Sequence, residues 1–233
     1  MKLDIVELVI EIEDIFSIKI PNYEASRMAT VGDVFDYIVT KTNVPKNSTV
    51  CLFAIAFFSL RGAATTLGAT KNVRPSDSTS AILPDSNRAQ YWSQLQSISK
   101  LMLPPLRRPG WLVNTCTVVV TACSAVLGFF VYQSTNSQFG AFAAAFATGI
   151  ELGLIAGLLT RPFAVFPAFN CTTLRGLAES ALAMNFKTLS QRYNGANKND
   201  IWIASRSIII EQLGVSLEEV NPSTRFVNNL GSG

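Results

Sequence analysis

Residues 111–160 read WLVNTCTVVVTACSAVLGFFVYQSTNSQFGAFAAAFATGIELGLIAGLLT, and this stretch decides the fold. It holds two apolar runs, 112–133 and 139–160. Each has the ~20 residues that a helix rising 1.5 Å per residue needs to cross ~30 Å of hydrocarbon. Between Arg108 and Arg161 the only charged side chain is Glu151. A soluble domain seldom leaves so long a stretch uncharged, because its surface must be wetted. Gln133–Gln138, polar and uncharged, reads as a tight turn between the runs, and Trp111 and Tyr132 stand where interfacial aromatics belong. Arg107 and Arg108 flank one side, Arg161 and Arg175 the other. The positive-inside rule then predicts a multi-pass protein of a bacterial inner (plasma) membrane, with both termini cytoplasmic and the turn outside. A buried hairpin of a soluble protein is the alternative, and two full-length spans with basic flanks argue against it.

Composition narrows the chemistry. The 233 residues contain no histidine, which removes the usual general base, the Ser/His/Asp triad and most zinc and haem sites. Cys51, Cys116, Cys123 and Cys171 form no CxxC pair, and two of them lie in an apolar run, so they read as reduced, buried thiols. Asp4, Glu7 and Glu11 interrupt any signal-peptide core, which leaves insertion to the internal spans. The net charge of +3 is too small to predict a nucleic-acid partner, but it hides a split. Residues 1–43 sum to −4 and residues 44–112 to +6, so the two could attract each other or the basic one could face anionic lipid. No glycine-rich phosphate loop, metal cluster or paired acids suggest an enzyme.

Within the second run Ala141, Ala145, Gly149, Gly153 and Gly157 recur every fourth residue, a ridge that lets a neighbouring helix approach closely. Thr117, Thr121, Ser124, Ala125 and Gly128 offer a facing stripe in the first run. Packing within the hairpin is the expectation; a homo-oligomer seam is the alternative. Glu151 lies near mid-span, where an acid is a functional candidate by default. At 100° per residue it points ~160° away from Gly149 and Gly153, off the ridge. Hairpin, glycine ridge and lone acid resemble, in outline only, the proton-carrying rotor subunits of ATP synthases, which would make Glu151 part of a proton or ion path. Three-quarters of the chain would then be unexplained.

The soluble ends carry a sharper pattern. Residues 4–16 read as an amphipathic helix, with Ile5, Leu8, Val9, Ile12, Ile15 and Phe16 at helical spacing and Glu7, Glu11, Glu13 and Asp14 on its wet side. Ile20-Pro21 follows, and Thr30-Val31-Gly32-Asp33 caps a helix running through Phe35, Ile38 and Val39. Leu3-Asp4, Val6-Glu7-Leu8-Val9, Glu13-Asp14, Phe16, Ile20-Pro21, the TVGD cap and Tyr37-Ile38 resemble, in order and spacing, the later helices of the acyl carrier protein family. At the other end, Ile208–Val215, Glu218-Glu219-Val220, Pro222-Ser223-Thr224 and Phe226–Gly231 resemble that family's first helix and its long loop.

The resemblance implies an all-α fold: a two-helix transmembrane hairpin plus a cytoplasmic, acyl-carrier-like helical bundle assembled from both ends in permuted order. Neither end alone buries enough apolar surface to be stable. Phe226 and Leu230 should pack on Val6, Val9 and Phe16, in the same chain or by exchange between two chains. The family carries phosphopantetheine on a serine just before the Leu-Asp, and Lys2 stands there, so no cofactor is expected. Ser232 is the one nearby hydroxyl, about one residue short of the position. Partner enzymes grip the family's acidic second helix, which makes Glu7, Glu13 and Asp14, with the extra Glu11, candidate protein-binding residues. A solvated face, or internal pairing with basic Arg61, Lys71, Arg74, Arg88 and Lys100, is the plainer reading.

A partial repeat runs from Leu60 to Leu83, echoing the C-terminal helix and loop, and Thr172-Thr173-Leu174-Arg175 faintly echoes the TVGD cap. Cys51–Leu60 is too short to span and reads as a core helix. Arg88–Lys100 reads as a further helix, Leu103–Pro109 as a stiff entry to the membrane, and residues 190–200 as a loop. Four segments result: 1–43 carrier-like, 44–110 basic and helical, 111–169 the hairpin, and 170–233 ending in the carrier-like first helix. The functional expectation is a non-catalytic membrane-anchored scaffold or recruitment module in contact with lipids and protein partners. The alternative is a tethered carrier of an acyl or peptidyl group for lipid or secondary-metabolite synthesis.

Overall fold

In a computed structural model, residues 3–42, 50–69, 73–84, 87–164 and 167–226 are described. They are helical throughout, with two isolated bridges and no strand among them. Two compact units result: residues 1–105 with 167–233, and residues 106–166.

The first unit is built around α9 (Leu174–Arg192) and α10 (Lys198–Leu213). Leu177, Ala178, Ala181, Leu182 and Phe186 bury α9 on several faces, as befits a helix packed by neighbours all round. Against it lie α4 (Leu52–Thr66) and α1 (Leu3–Phe16), with α6 (Arg88–Ser99) on α4. Against α10 lie α1 and α3 (Val31–Lys41). The apolar run from Leu52 lies in this core, where Leu52, Ala56, Leu60, Ala63 and Ala64 are buried. The expected 190–200 loop shrinks to residues 193–197, because Asn197 and Asp200 form a capping box that starts α10 early. From the segment 44–110, α4 and α6 are layers of this unit.

One residue ties the layers together. Asp200, fully buried, accepts from the Asn197 amide at 3.2 Å and from the Leu52 and Phe53 amides at 2.9 and 3.0 Å. A single carboxylate therefore satisfies orphan donors at the start of two helices.

The two bridges share one backbone pattern. At the first, Thr30 pairs with Arg225; Val31 N donates to Thr224 O, Gly32 N to Pro222 O, and Phe226 N to Ala29 O. At the second, Thr173 pairs with Ser78; Leu174 N donates to Asp77 O, Arg175 N to Pro75 O, and Thr79 N to Thr172 O. In each, a loop following one helix (α10 or α4) is stitched to the capped start of another (α3 or α9). The partial repeat legible from Leu60 to Leu83 thus extends to α9.

The second unit is the hairpin. Helices α7 (Gly110–Thr135) and α8 (Gln138–Leu159) are each long and apolar enough to cross a membrane. The turn is tighter than Gln133–Gln138: Asn136 takes a left-handed φ of 53° and Ser137 caps α8. The outer surface is apolar, with Phe139 85 % and Phe142 79 % exposed, a surface suited to lipid rather than water. Hydroxyls of Thr117, Thr121 and Ser124 donate to their own helix four residues back, so the span carries little unmet polarity.

Candidate functional site

The site with the most constructed geometry is where the C-terminal loop meets the N-terminal helices. Thr30 and Asp33 form a reciprocal capping box at the start of α3: Asp33 N donates to Thr30 Oγ1 at 3.1 Å, and Thr30 N to Asp33 Oδ2 at 2.8 Å. These bonds, with the Ala29 amide and the nearby Arg225 charge, hold the Asp33 carboxyl below its ordinary range. Gly32 is needed for close approach, since a Cβ there would meet Pro222 O at 2.8 Å. The loop itself is locked by Thr224, whose hydroxyl donates to Glu219 O and accepts from Asn221 N.

From this loop Phe226, 5 % exposed, enters an apolar pocket lined by Ile5, Leu8, Val9, Ile12, Met28 and Val34. Val9, expected against Phe226, lines the same pocket. Phe16 instead packs against Phe186 of α9, ring centroids 4.7 Å apart and planes tilted by 57°, and Val6 is turned outward at 37 % exposure. The reason is that α1 is gripped on two sides, by the loop and by α9, whereas the expected packing considered one. Leu230, Lys2 and Ser232 lie outside the described residues.

The four acids of α1 divide by environment. Glu7 and Asp14 are exposed. Glu11 accepts from the Gln212 side chain of α10, and burial, then the neighbouring Glu211 and Asp14 charges, push its carboxyl up. Glu13 accepts from the Ile20 amide at 2.6 Å and pairs with Lys19 at 3.5 Å, so it closes the turn after α1. Two of the four are thus engaged in holding the unit together.

In the hairpin the ridge splits. A Cβ on Gly128 would lie 3.0 Å from the Ala145 Cβ, and one on Gly149 would lie 3.2 Å from Ser124 Oγ, so that half packs within the hairpin. Gly153 and Gly157 have open space beside them. Glu151 is exposed on α8 and, among the described residues, has no hydrogen bond or ion pair.

A polar cleft of about 560 Å³ was not foreseen. Glu179, buried on α9, accepts from Arg175 Nε at 3.0 Å and Arg206 Nη2 at 3.3 Å, while Arg206 Nε is buried without a partner among the described residues. The Arg175–Glu179 spacing was visible in the sequence; Arg206 arrives only through the packing of α10 on α9. Among the described residues, no three His, Cys, Asp or Glu side chains gather as a metal site.

Part of the chain is similar to curated acyl carrier proteins. It is 58 % identical over 38 residues to that of Wolinella succinogenes, which covers 16 % of this chain and 50 % of the relative. It is 48 % identical over 40 residues to that of Clostridium acetobutylicum, covering 17 % and 52 %. The chain spans about half the length of the curated relatives it matches. No family model and no solved structure matches it. The protein is therefore all-helical, contains an acyl-carrier-like segment, and has two helices long and apolar enough to cross a membrane.

Proposed function

We propose that this is a non-catalytic, membrane-anchored, acyl-carrier-like protein whose two ends form one carrier-like bundle in permuted order. In this reading α10 and its loop act as the first helix and loop, and residues 3–41 as the remainder. The observation that carries it is the stitched bridge between residues 222–226 and 29–32, with Phe226 seated among α1 and α3 side chains. The hairpin anchors this bundle to the cytoplasmic face of a bacterial inner membrane. There the exposed Glu7 and Asp14 dock a basic surface of a protein partner, while Glu11 and Glu13 serve the bundle itself. Lys2 offers an amine where the family has a hydroxyl, so the bundle works without a prosthetic group.

The reading is tested by expressing the full chain with a broad-specificity phosphopantetheinyl transferase and measuring its intact mass. An unchanged mass is expected. A gain of one phosphopantetheine would overturn it in favour of a tethered acyl or peptidyl carrier, with Ser232 the first residue to substitute. Recruitment is tested by photocrosslinking from position 10 in native membranes: adducts should form and should be lost in Glu7→Lys/Asp14→Lys. Adducts that survive the charge reversal would remove the acidic helix from partner binding.

A further inference from the structure

Where the ridge splits, α7 and α8 part and leave a groove of about 240 Å³ at the arginine end of the hairpin. Val113, Thr117, Val120 and Thr121 form one wall, and Gly153 and Gly157 the other. The wall is apolar in effect, because the hydroxyls of Thr117 and Thr121 are already used by carbonyls of their own helix. Water needs two to four polar partners to occupy such a space, and below the mouth these walls do not supply them. In a bilayer the groove is therefore filled by an acyl chain or by another helix.

Arg108 decides between them. Its guanidinium stands at the mouth and donates through Nη2 to Gly157 O at 2.8 Å, its one hydrogen bond among the described residues. A guanidinium has five N–H donors, so most of them remain for an acceptor at the depth of the lipid phosphates. A second copy seated here with two-fold symmetry would bring its own Arg108 to the same depth, charge against like charge. We propose that the groove holds an acyl chain of an anionic membrane phospholipid, with the headgroup phosphate on Arg108. The proposal rests on the reading of the hairpin as membrane-spanning.

Trp111, 69 % exposed next to the mouth, is the only tryptophan of the hairpin and a natural probe. The full chain is placed in phosphatidylcholine vesicles containing, at equal mole fraction, chain-brominated phosphatidylglycerol or chain-brominated phosphatidylcholine. The anionic phosphatidylglycerol should quench Trp111 with a preference of roughly fivefold, which is what ~1 kcal/mol per basic residue at an anionic surface amounts to. Arg108→Gln should abolish the preference while leaving quenching itself. Gly153→Leu, which fills the groove and keeps the charge, should abolish it too. A preference that survives Gly153→Leu would reduce the effect to diffuse attraction by the arginine flank and overturn the proposal. So would equal quenching by both lipids, or a crosslinked dimer that Gly153→Leu dissolves. Quenching by neither lipid would overturn the membrane reading itself.

Discussion

Two carboxyls on neighbouring elements should respond to pH with opposite signs. Glu11 has a raised folded-state pKa, so the folded chain holds that proton more tightly than the unfolded one. Its penalty is absent in acid and grows as pH rises through and above the ordinary value of 4.5. Glu11→Gln keeps an acceptor for Gln212 and should raise stability at pH 7 by no more than ~1 kcal/mol, given solvent screening, and not at pH 3. Asp33 is lowered, so its contribution is present at neutral pH and lost as pH falls through its depressed folded value. Thr30→Ala, which removes one half of the box, should cost ~1 kcal/mol at pH 7. Denaturant titration in micelles, followed by circular dichroism at the two pH values, measures both. For Glu151, exposed on α8, Glu151→Gln should leave assembly and its pH response unchanged; a shifted response would support the ion-path alternative.

Elements are held at their starts, and Asp200 shows how much hangs on one cap. Asp200→Ala strands the Leu52 and Phe53 amides at the head of α4 and the Asn197 amide at the head of α10. It should lower stability by on the order of 3 kcal/mol, and hydrogen exchange should speed up in both helices rather than one. Loss confined to α10 would show that α4 is capped by other means. The sequence displayed the local half of this design: Asn197 and Asp200 stand at capping-box spacing, as Thr30 and Asp33 do. It hid the other half, because the amides of Leu52 and Phe53 are ~150 residues away and reach Asp200 only through packing. The same division explains α1. Its amphipathic stripe was legible, whereas the turning of Glu11 toward Gln212 and of Phe16 toward Phe186 depends on α9 and α10. On α8 the four-residue ridge was legible, but not that it fills only half its length, since the parting of two helices is no property of either.

At the scale of the whole molecule, the hairpin is a compact unit distinct from the unit of residues 1–105 and 167–233. Leu101 and Leu103 are buried there, Asn185 grips both Met102 backbone groups at 2.8 and 3.0 Å, and the Trp92 indole donates to Pro104 O. Replacing residues 107–165 with a flexible Gly/Ser linker of ~20 residues, whose ends average ~25 Å apart, should give a soluble, monomeric, cooperatively unfolding helical protein. A molten or aggregated product would show that the first unit needs its membrane anchor. In that protein the Val31 and Gly32 amides should exchange slowly, and deleting residues 214–233 should expose them. The stitch between residues 31 and 224 also sets a clock. Residues 3–41 leave the ribosome before the loop that pairs with them, which emerges ~190 residues later, some 10–40 s at ordinary elongation rates. In that interval both long apolar helices of the hairpin are made. The pairing of residues 31–32 with 222–224 can therefore close only after the whole hairpin has been made, and until then the Val31 and Gly32 amides lack these acceptors.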